Sequence, residues 1–173
     1  KSKLLIKNIN CNLTRTGFIQ ILKKMNANIK IKNLKKKSEE LIGDILVKSS
    51  ILKPINCPKK LVPSAIDEFP LLFIISSLIK GATKFSGISE LRHKESDRIK
   101  TMEIGLNEIG IKTKSTPSSL KIFGNPSLEL DKVLNIYPKN DHRIAMSFFC
   151  LAQLVNGKIK INNFETVNTS FSK

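Results

Sequence analysis

Tryptophan is absent from this sequence, tyrosine occurs once, and aromatic residues make up 6% of its 173 positions. Binding single-stranded nucleic acid by stacking needs several aromatic faces set among cations, so the composition offers little for that class. The three cysteines, Cys11, Cys57 and Cys150, are far apart and form no CxxC pair. That pattern excludes a disulfide framework and lacks zinc-ligand spacing, and a reducing, cytoplasmic setting is the expectation. The longest apolar run, Leu71 to Ile79, is broken by Ser76 and Ser77 and falls short of the roughly 20 residues a membrane-spanning helix requires. The first residue is Lys1 rather than Met, with no signal-peptide pattern behind it, so a piece of a longer chain is expected. Also missing are GxGxxG, a Walker loop, GxSxG and HExxH, and the two histidines are not at i, i+4. Dinucleotide, phosphate-loop, serine-hydrolase and zinc-hydrolase chemistry are thereby set aside: metal, thiol and nucleotide readings all fail on spacing. With 40% apolar and 25% charged residues, the chain has the balance of an ordinary folded domain rather than of a disordered or collagenous one.

Acidic residues are scarce: 14 against 30 basic ones, a formal charge of +16. Such an excess favours an anionic partner. Of the basic residues 26 are lysines, spread through the chain, and only Arg15, Arg92, Arg98 and Arg143 are arginines. Lysine gives diffuse charge, whereas the guanidinium fork binds a carboxylate or phosphate bidentately. Three of the four arginines lie in two dense clusters that also hold His93 and His142. A small anion is therefore the favoured ligand class. The alternative, a basic nucleic-acid-binding module, predicts steeply salt-dependent binding, but lacks both a groove-reading helix and a stacking platform; no nucleic-acid partner is expected.

Along the chain, two kinds of helix-then-strand segment alternate. In the first kind, Thr14 to Gly17 lead into Phe18, Ile21, Leu22 and Met25 at helical spacing, followed by Ile29 and Ile31 alternating as a strand. Its second copy opens at Ser96-Asp97-Arg98, carries Ile99, Met102, Leu106 and Ile109, and stops at Gly110 before Ile111 and Thr113. Leu22 and Leu106 mark an offset of 84 residues between the copies. The second kind starts at an acidic residue and is apolar nearly all round. One copy runs from Ile66-Asp67-Glu68 through Phe73 to Gly81, with Ala82 to Phe85 as strand; the other runs from Asp141-His142-Arg143 through Phe149 to Gly157, with Lys158 to Ile161 as strand. A duplicated α/β unit follows, with about two repeats, roughly 1–86 and 87–173. Helices without a polar stripe must sit inside with sheets around them. Ser115 to Ser119 and Asn125 to Ser127 suit turns, and the charged run Lys35 to Glu40 reads as a solvated loop.

Chemistry concentrates at helix starts. Glu90 to Arg98 packs Arg92, Lys94, Glu95, Asp97 and Arg98 around His93, directly before an apolar helix. A capping Ser96 or Asp97 would add helix-dipole potential to that of Lys94 and Arg98, which favours an anion. Glu95 could carry a proton once substrate excludes water. Asn140-Asp141-His142-Arg143 repeats the pattern: Asp141 reads as an N-cap, His142 as an orienting or packing residue, and Arg143 as a guanidinium that needs an anion or a carboxylate at the mouth of an apolar helix. Asp67 reads either as an N-cap or as a general base, and Thr14 to Gly17 as a cap.

Three strings, Ile66-Asp67-Glu68-Phe69-Pro70, Leu91 to Arg98 and Asn140 to Met146, resemble in order and spacing the DE-x-P, LR-x-KESDR and DHR-x-AM patterns of the EPSP synthase (3-phosphoshikimate 1-carboxyvinyltransferase) family. Asn12 to Gly17 and Thr169-Ser170-Phe171 resemble its TRTG and TSF strings. The resemblance covers nearly the whole chain and concerns the family's C-terminal part. It implies an α/β fold of repeated β-α-β-α-β-β units with buried helices, an enolpyruvyl transferase lobe or inside-out α/β barrel. It also implies transfer of the enolpyruvyl group of phosphoenolpyruvate to the 5-hydroxyl of shikimate 3-phosphate without a cofactor, in the shikimate pathway of aromatic amino-acid biosynthesis. Carried over by motif, Asp67 is implied as proton acceptor at the attacked hydroxyl and Glu95 as proton carrier at the methylene carbon. Lys94, with Asp67, is implied at shikimate 3-phosphate, and Arg98 and Arg143 at phosphoenolpyruvate. The family's N-terminal lobe, with its lysine motif and NAGT string, is not in this sequence, so the chain by itself is expected to lack activity and to need that lobe as partner. Val167-Asn168-Thr169 stand where some members have a lysine.

Overall fold

The computed structural model describes residues 2–170. The strand β1 (Lys3–Asn10) leads to α1 (Gly17–Lys24), then to the hairpin β2 (Asn28–Lys37) and β3 (Glu40–Lys48). These strands form an antiparallel sheet ordered β1-β3-β2. A stretch of 3₁₀ turns, ending at Pro63–Glu68, precedes α2 (Phe69–Ser77) and β4 (Gly81–Ser86). Next come α3 (Arg98–Glu108) and the hairpin β5 (Thr113–Thr116) and β6 (Ser119–Gly124), which makes a second sheet ordered β4-β6-β5. Finally β7 (Leu134–Ile136) and β8 (Ile159–Ile161) pair in parallel around α4 (His142–Ala152). The second sheet has a parallel neighbour of the same kind. Asn56 bridges Lys84 in parallel, with Cys57 N–H donating to the Lys84 carbonyl at 2.8 Å and Lys84 N–H to the Ile55 carbonyl at 2.9 Å.

The interior is one continuous apolar cluster. Seven of the nine residues of α2, among them Leu72, Phe73 and Ile74, are buried, as a helix without a polar stripe requires. Phe69 and Phe73 meet Phe85 of β4 edge-on, with centroids 5.6 and 5.1 Å apart, an arrangement that aromatic quadrupoles favour. Helix α3 buries Ile99, Met102 and Leu106, and α4 buries Ile144, Phe148 and Leu151. Gly17 is required by close approach: a Cβ there would come within 2.6 Å of the Ser64 backbone, so α1 can lie directly on the turn that leads to Asp67.

The helices and strands that carry apolar periodicity lie where the sequence puts them; the strands β1, β3, β6 and β7 were not legible. Three local readings are corrected. Lys35–Lys37 continue β2, and the chain turns only at Ser38 and Glu39, whose φ of 46° and 69° lies in the left-handed region. An exposed strand can be lysine-rich throughout, so charge alone did not mark a loop. The Thr14 to Gly17 segment supplies no capping side chain: the Thr16 hydroxyl donates back to the Leu13 carbonyl instead. Asp67 is not an N-cap either, because α2 starts at Phe69 and residues 63–68 wind as a 3₁₀ turn led by Pro63. Among the described residues no helix is long and apolar enough to cross a membrane, and the three cysteines are free thiols, with Cys11 and Cys57 buried. Phe171, and with it the end of the TSF string, lies outside the described residues.

Candidate functional site

Three helices begin at one end of the molecule: Asp67 and Glu68 sit just ahead of α2, Arg98 is the first residue of α3, and Asp141 is the N-cap of α4. Asp97 caps α3 in the ordinary way, accepting Lys100 N–H at 2.9 Å, and its other oxygen takes Arg92 Nη1 at 2.6 Å. Arg92 also donates to the carbonyls of Thr116 and Pro117, each at 2.8 Å, so it clamps the β5–β6 turn to the start of α3. Before α4, Lys139 and Asn140 both take left-handed φ, 52° and 61°, and this double turn swings Asp141 inward.

Arg98 lies at the centre. Its side chain is only 1% exposed, yet three carboxyl groups surround it: Nε donates to Asp141 at 2.8 Å, Nη2 to Glu95 at 2.5 Å, and Nη1 to Asp67 at 3.4 Å. A guanidinium this deep requires compensating charge. Asp67 reaches a second guanidinium through its other oxygen, 3.4 Å from Arg143 Nη2, while Arg143 Nη1 donates to the Asp67 carbonyl at 3.2 Å and lies 4.0 Å from Glu68. Burial raises the Glu68 carboxyl above its usual value; the Arg143 charge opposes this and Asp67 reinforces it. Beside this pair opens a cavity of about 220 Å³, lined by Asp67, Glu68, Leu71, Arg143, Met146 and Ser147 among others.

Asp67, Glu95, Arg98 and Arg143, singled out separately in the sequence, thus form one connected cluster. Lys94 does not join it: its ammonium pairs with Glu90 at 2.7 Å, one helical turn back. Asp141 was read from the sequence as a cap, and it is one, accepting the N–H groups of Arg143 and Ile144 through Oδ1. Its second task, holding Arg98 and the Ser96 hydroxyl through Oδ2, was not legible, because those partners lie 43 and 45 residues away and no local pattern marks them. Among the described residues no group of His, Cys, Asp and Glu side chains is arranged to hold a metal. Chemically, two guanidinium groups and three helix N-termini make an anion site, and the flanking carboxyl groups can move protons.

The sequence model of the family described as EPSP synthase (3-phosphoshikimate 1-carboxyvinyltransferase) matches residues 1–173. This chain belongs to the EPSP synthase family. Over 170 residues it is 42% identical to 3-phosphoshikimate 1-carboxyvinyltransferase of Petrotoga mobilis, covering 98% of this chain and 39% of the relative. To the enzyme of that name from Clostridium tetani it is 40% identical, covering 98% of this chain and 38% of the relative. The chain therefore spans about two-fifths of the length of the curated relatives it matches. Among solved structures, EPSP synthase from Acinetobacter baumannii superposes with a TM-score of 0.91 at 41% identity, over 98% of this chain and 39% of that one. The enolpyruvyl transferase NikO from Streptomyces tendae superposes with a TM-score of 0.65 at 14% identity, a likeness of fold alone. The α/β enolpyruvyl transferase fold implied by the motifs is the fold observed.

Proposed function

We propose that this chain is the C-terminal lobe portion of an EPSP synthase and supplies half of the active site that transfers the enolpyruvyl group of phosphoenolpyruvate to the 5-hydroxyl of shikimate 3-phosphate. The observation that carries this reading is the convergence of Arg98, Arg143, Asp67 and Glu95 at three helix N-termini. Two repeats, roughly 1–86 and 87–173, belong to this reading: the sheet orders β1-β3-β2 and β4-β6-β5 match, and β4 is the strand at the joint, answering to β8 through its parallel neighbour and to β1 through its place in the second sheet.

Both substrates are multiply charged anions, so the protein's first task is to hold them together against repulsion. Arg98 and Arg143 take the carboxylate and phosphate of phosphoenolpyruvate. The 5-hydroxyl oxygen attacks C2 and gives its proton to Asp67, while Glu95 delivers a proton to the methylene carbon C3. The product of that addition is a tetrahedral ketal phosphate. Elimination reverses the flow: Glu95 takes a proton back from C3, the bond from C2 to the phosphate oxygen breaks, and the proton held by Asp67 leaves with phosphate. Lys94 reaches shikimate 3-phosphate by leaving its exposed pair with Glu90, a weak surface interaction. The remaining contacts come from the N-terminal lobe, which is the partner this half-site requires.

Phosphate release from phosphoenolpyruvate and shikimate 3-phosphate tests the reading. It is expected only when this chain is combined with the missing lobe, and expected to vanish in Arg98→Ala. Two folded lobes that together release none, or an unchanged rate in Arg98→Ala, refutes the assignment.

A further inference from the structure

The free site has a charge problem. Two guanidinium groups, of Arg98 and Arg143, face four carboxyl groups, of Asp67, Glu68, Glu95 and Asp141. Arg15 adds a third positive charge on the outer side of Glu68, but the Arg98 and Arg143 donors that an arriving anion needs are already engaged by carboxyl groups. Some carboxyl groups must let go.

The three partners of Arg98 are not equivalent. Asp141 is 0% exposed and fixed on all sides: Oδ1 accepts the N–H groups of Arg143 and Ile144, and Oδ2 accepts Arg98 Nε and the Ser96 hydroxyl. It cannot swing out without uncapping α4. Glu95 is 48% exposed and, among the described residues, its carboxylate has Arg98 as its one hydrogen-bond donor. Asp67 is 35% exposed and holds Arg98 at a long 3.4 Å while also leaning on Arg143. Their own exposure gives both carboxyl groups room to leave, but Arg98 is buried, so whatever replaces them must itself carry negative charge. A bidentate oxyanion on the two Nη groups is the stronger interaction.

We propose that Asp141 is the positioning residue for Arg98, its permanent partner at Nε, and that Glu95 and Asp67 are exchangeable partners which an incoming carboxylate or phosphate displaces from Nη2 and Nη1. Anion binding and release of the two carboxyl groups are then a single event. No covalent step is involved. Under the functional reading above, on which this consequence rests, the two groups that must move protons stay tied to Arg98 until phosphoenolpyruvate arrives. Asp141 also fixes the spacing between the arginines, since it grips the side chain of one and the backbone N–H of the other.

The chain has only four arginines, so the side-chain NMR spectrum of an arginine-labelled sample is simple enough to assign. The probe is inorganic phosphate titrated into the chain. The Arg98 Nε–H signal and the Asp141 carboxyl carbon are expected to stay in place, while the Arg98 Nη signals and the Glu95 and Asp67 carboxyl carbons shift along one common saturation curve. Asp141→Asn keeps an oxygen for the helix N–H groups but turns an amide N–H₂ toward Nε, donor against donor. Exchange of the Arg98 Nε–H with solvent should then quicken by about tenfold, the usual weight of one charged hydrogen bond. Glu95→Gln removes the charge of one exchangeable partner and should tighten phosphate binding severalfold. Phosphate that binds without moving Glu95 and Asp67, or that moves Asp141 as far as it moves them, overturns the proposal. So does unchanged Nε–H protection in a folded Asp141→Asn, or no phosphate binding by either the chain or Glu95→Gln. None of these outcomes depends on turnover; failure of phosphate release from the combined lobes would sink the functional reading while leaving this exchange standing.

Discussion

Replacing Gly105 by alanine sets two physical effects against each other. Gly105 lies inside α3, where helix propensity alone makes alanine better by about 1 kcal/mol. The added Cβ, however, would sit 2.4 and 2.9 Å from Cζ and Cε2 of Phe148, a side chain of α4 with no exposure. Carbon atoms are at rest about 3.5–4.0 Å apart, so α3 and α4 must separate or the ring must leave its place, at a cost of about 1–3 kcal/mol. The clash outweighs the propensity, and Gly105→Ala is expected to lose about 1 kcal/mol net, with 2 as the upper end. In a domain of this size that lowers Tm by about 2–4 °C per kcal/mol. Urea unfolding is the direct assay: the midpoint should fall with the slope unchanged. In a Phe148→Leu background, where the ring tip is gone, the alanine should become neutral or favourable, giving a coupling of about 1 kcal/mol or more. A single Gly105→Ala variant as stable as the parent would refute the reasoning. The site feels the same change, because α3 starts with Arg98 two turns before Gly105, and α4 starts behind Asp141.

Asp97→Ala removes the α3 cap and the anchor of Arg92, and should cost about 1 kcal/mol in the same unfolding experiment, with Asp97→Asn recovering part of it. Glu68 titrates above its usual value because burial disfavours its charge, so the folded state binds its proton more tightly than the unfolded one and stability falls as pH rises through that range. Glu68→Gln should therefore raise the urea midpoint at neutral pH, and the gain should disappear once both states are protonated below pH about 4. Cys150 is exposed while Cys11 and Cys57 are buried, and burial raises the Cys57 thiol to about 11. A thiol reagent at pH 8 should label Cys150 fast in the native chain and all three cysteines only in denaturant; rapid native labelling of Cys57 would contradict the packing.

Helices α2, α3 and α4 were legible because their signals are local: Ile99, Met102, Leu106 and Ile109 at helical spacing, an acidic residue at the mouth of an apolar run, Gly110 and Gly157 at the ends. Strands β3 and β6, each the middle strand of its sheet, were not. In β3 alternation breaks at Gly43 and Asp44; in β6 Leu120, Lys121 and Ile122 do alternate, but over too few residues to mark a strand, and identity as a central strand is a property of the neighbours on either side. The Lys35–Lys37 segment misled for the same reason, since an exposed strand needs no apolar face.

The sequence by itself determined the helix starts, the scarcity of arginine and the motifs whose order places the chain in its family; each helix start and each motif is local, carried by residues within about two helical turns of one another. It did not determine which charges meet. Arg98 and Asp141 are 43 residues apart, and Arg143 and the Asp67 carbonyl 76; local propensity has no reach at such separations. Only the packing of α3 and α4 through Gly105 and Phe148, and of α2 against the second sheet, brings three helix ends to one wall. There burial makes Asp141 the fixed counter-charge of an arginine as well as a cap, while Lys94, next in sequence to the cluster's Glu95, is left paired with Glu90 at the surface.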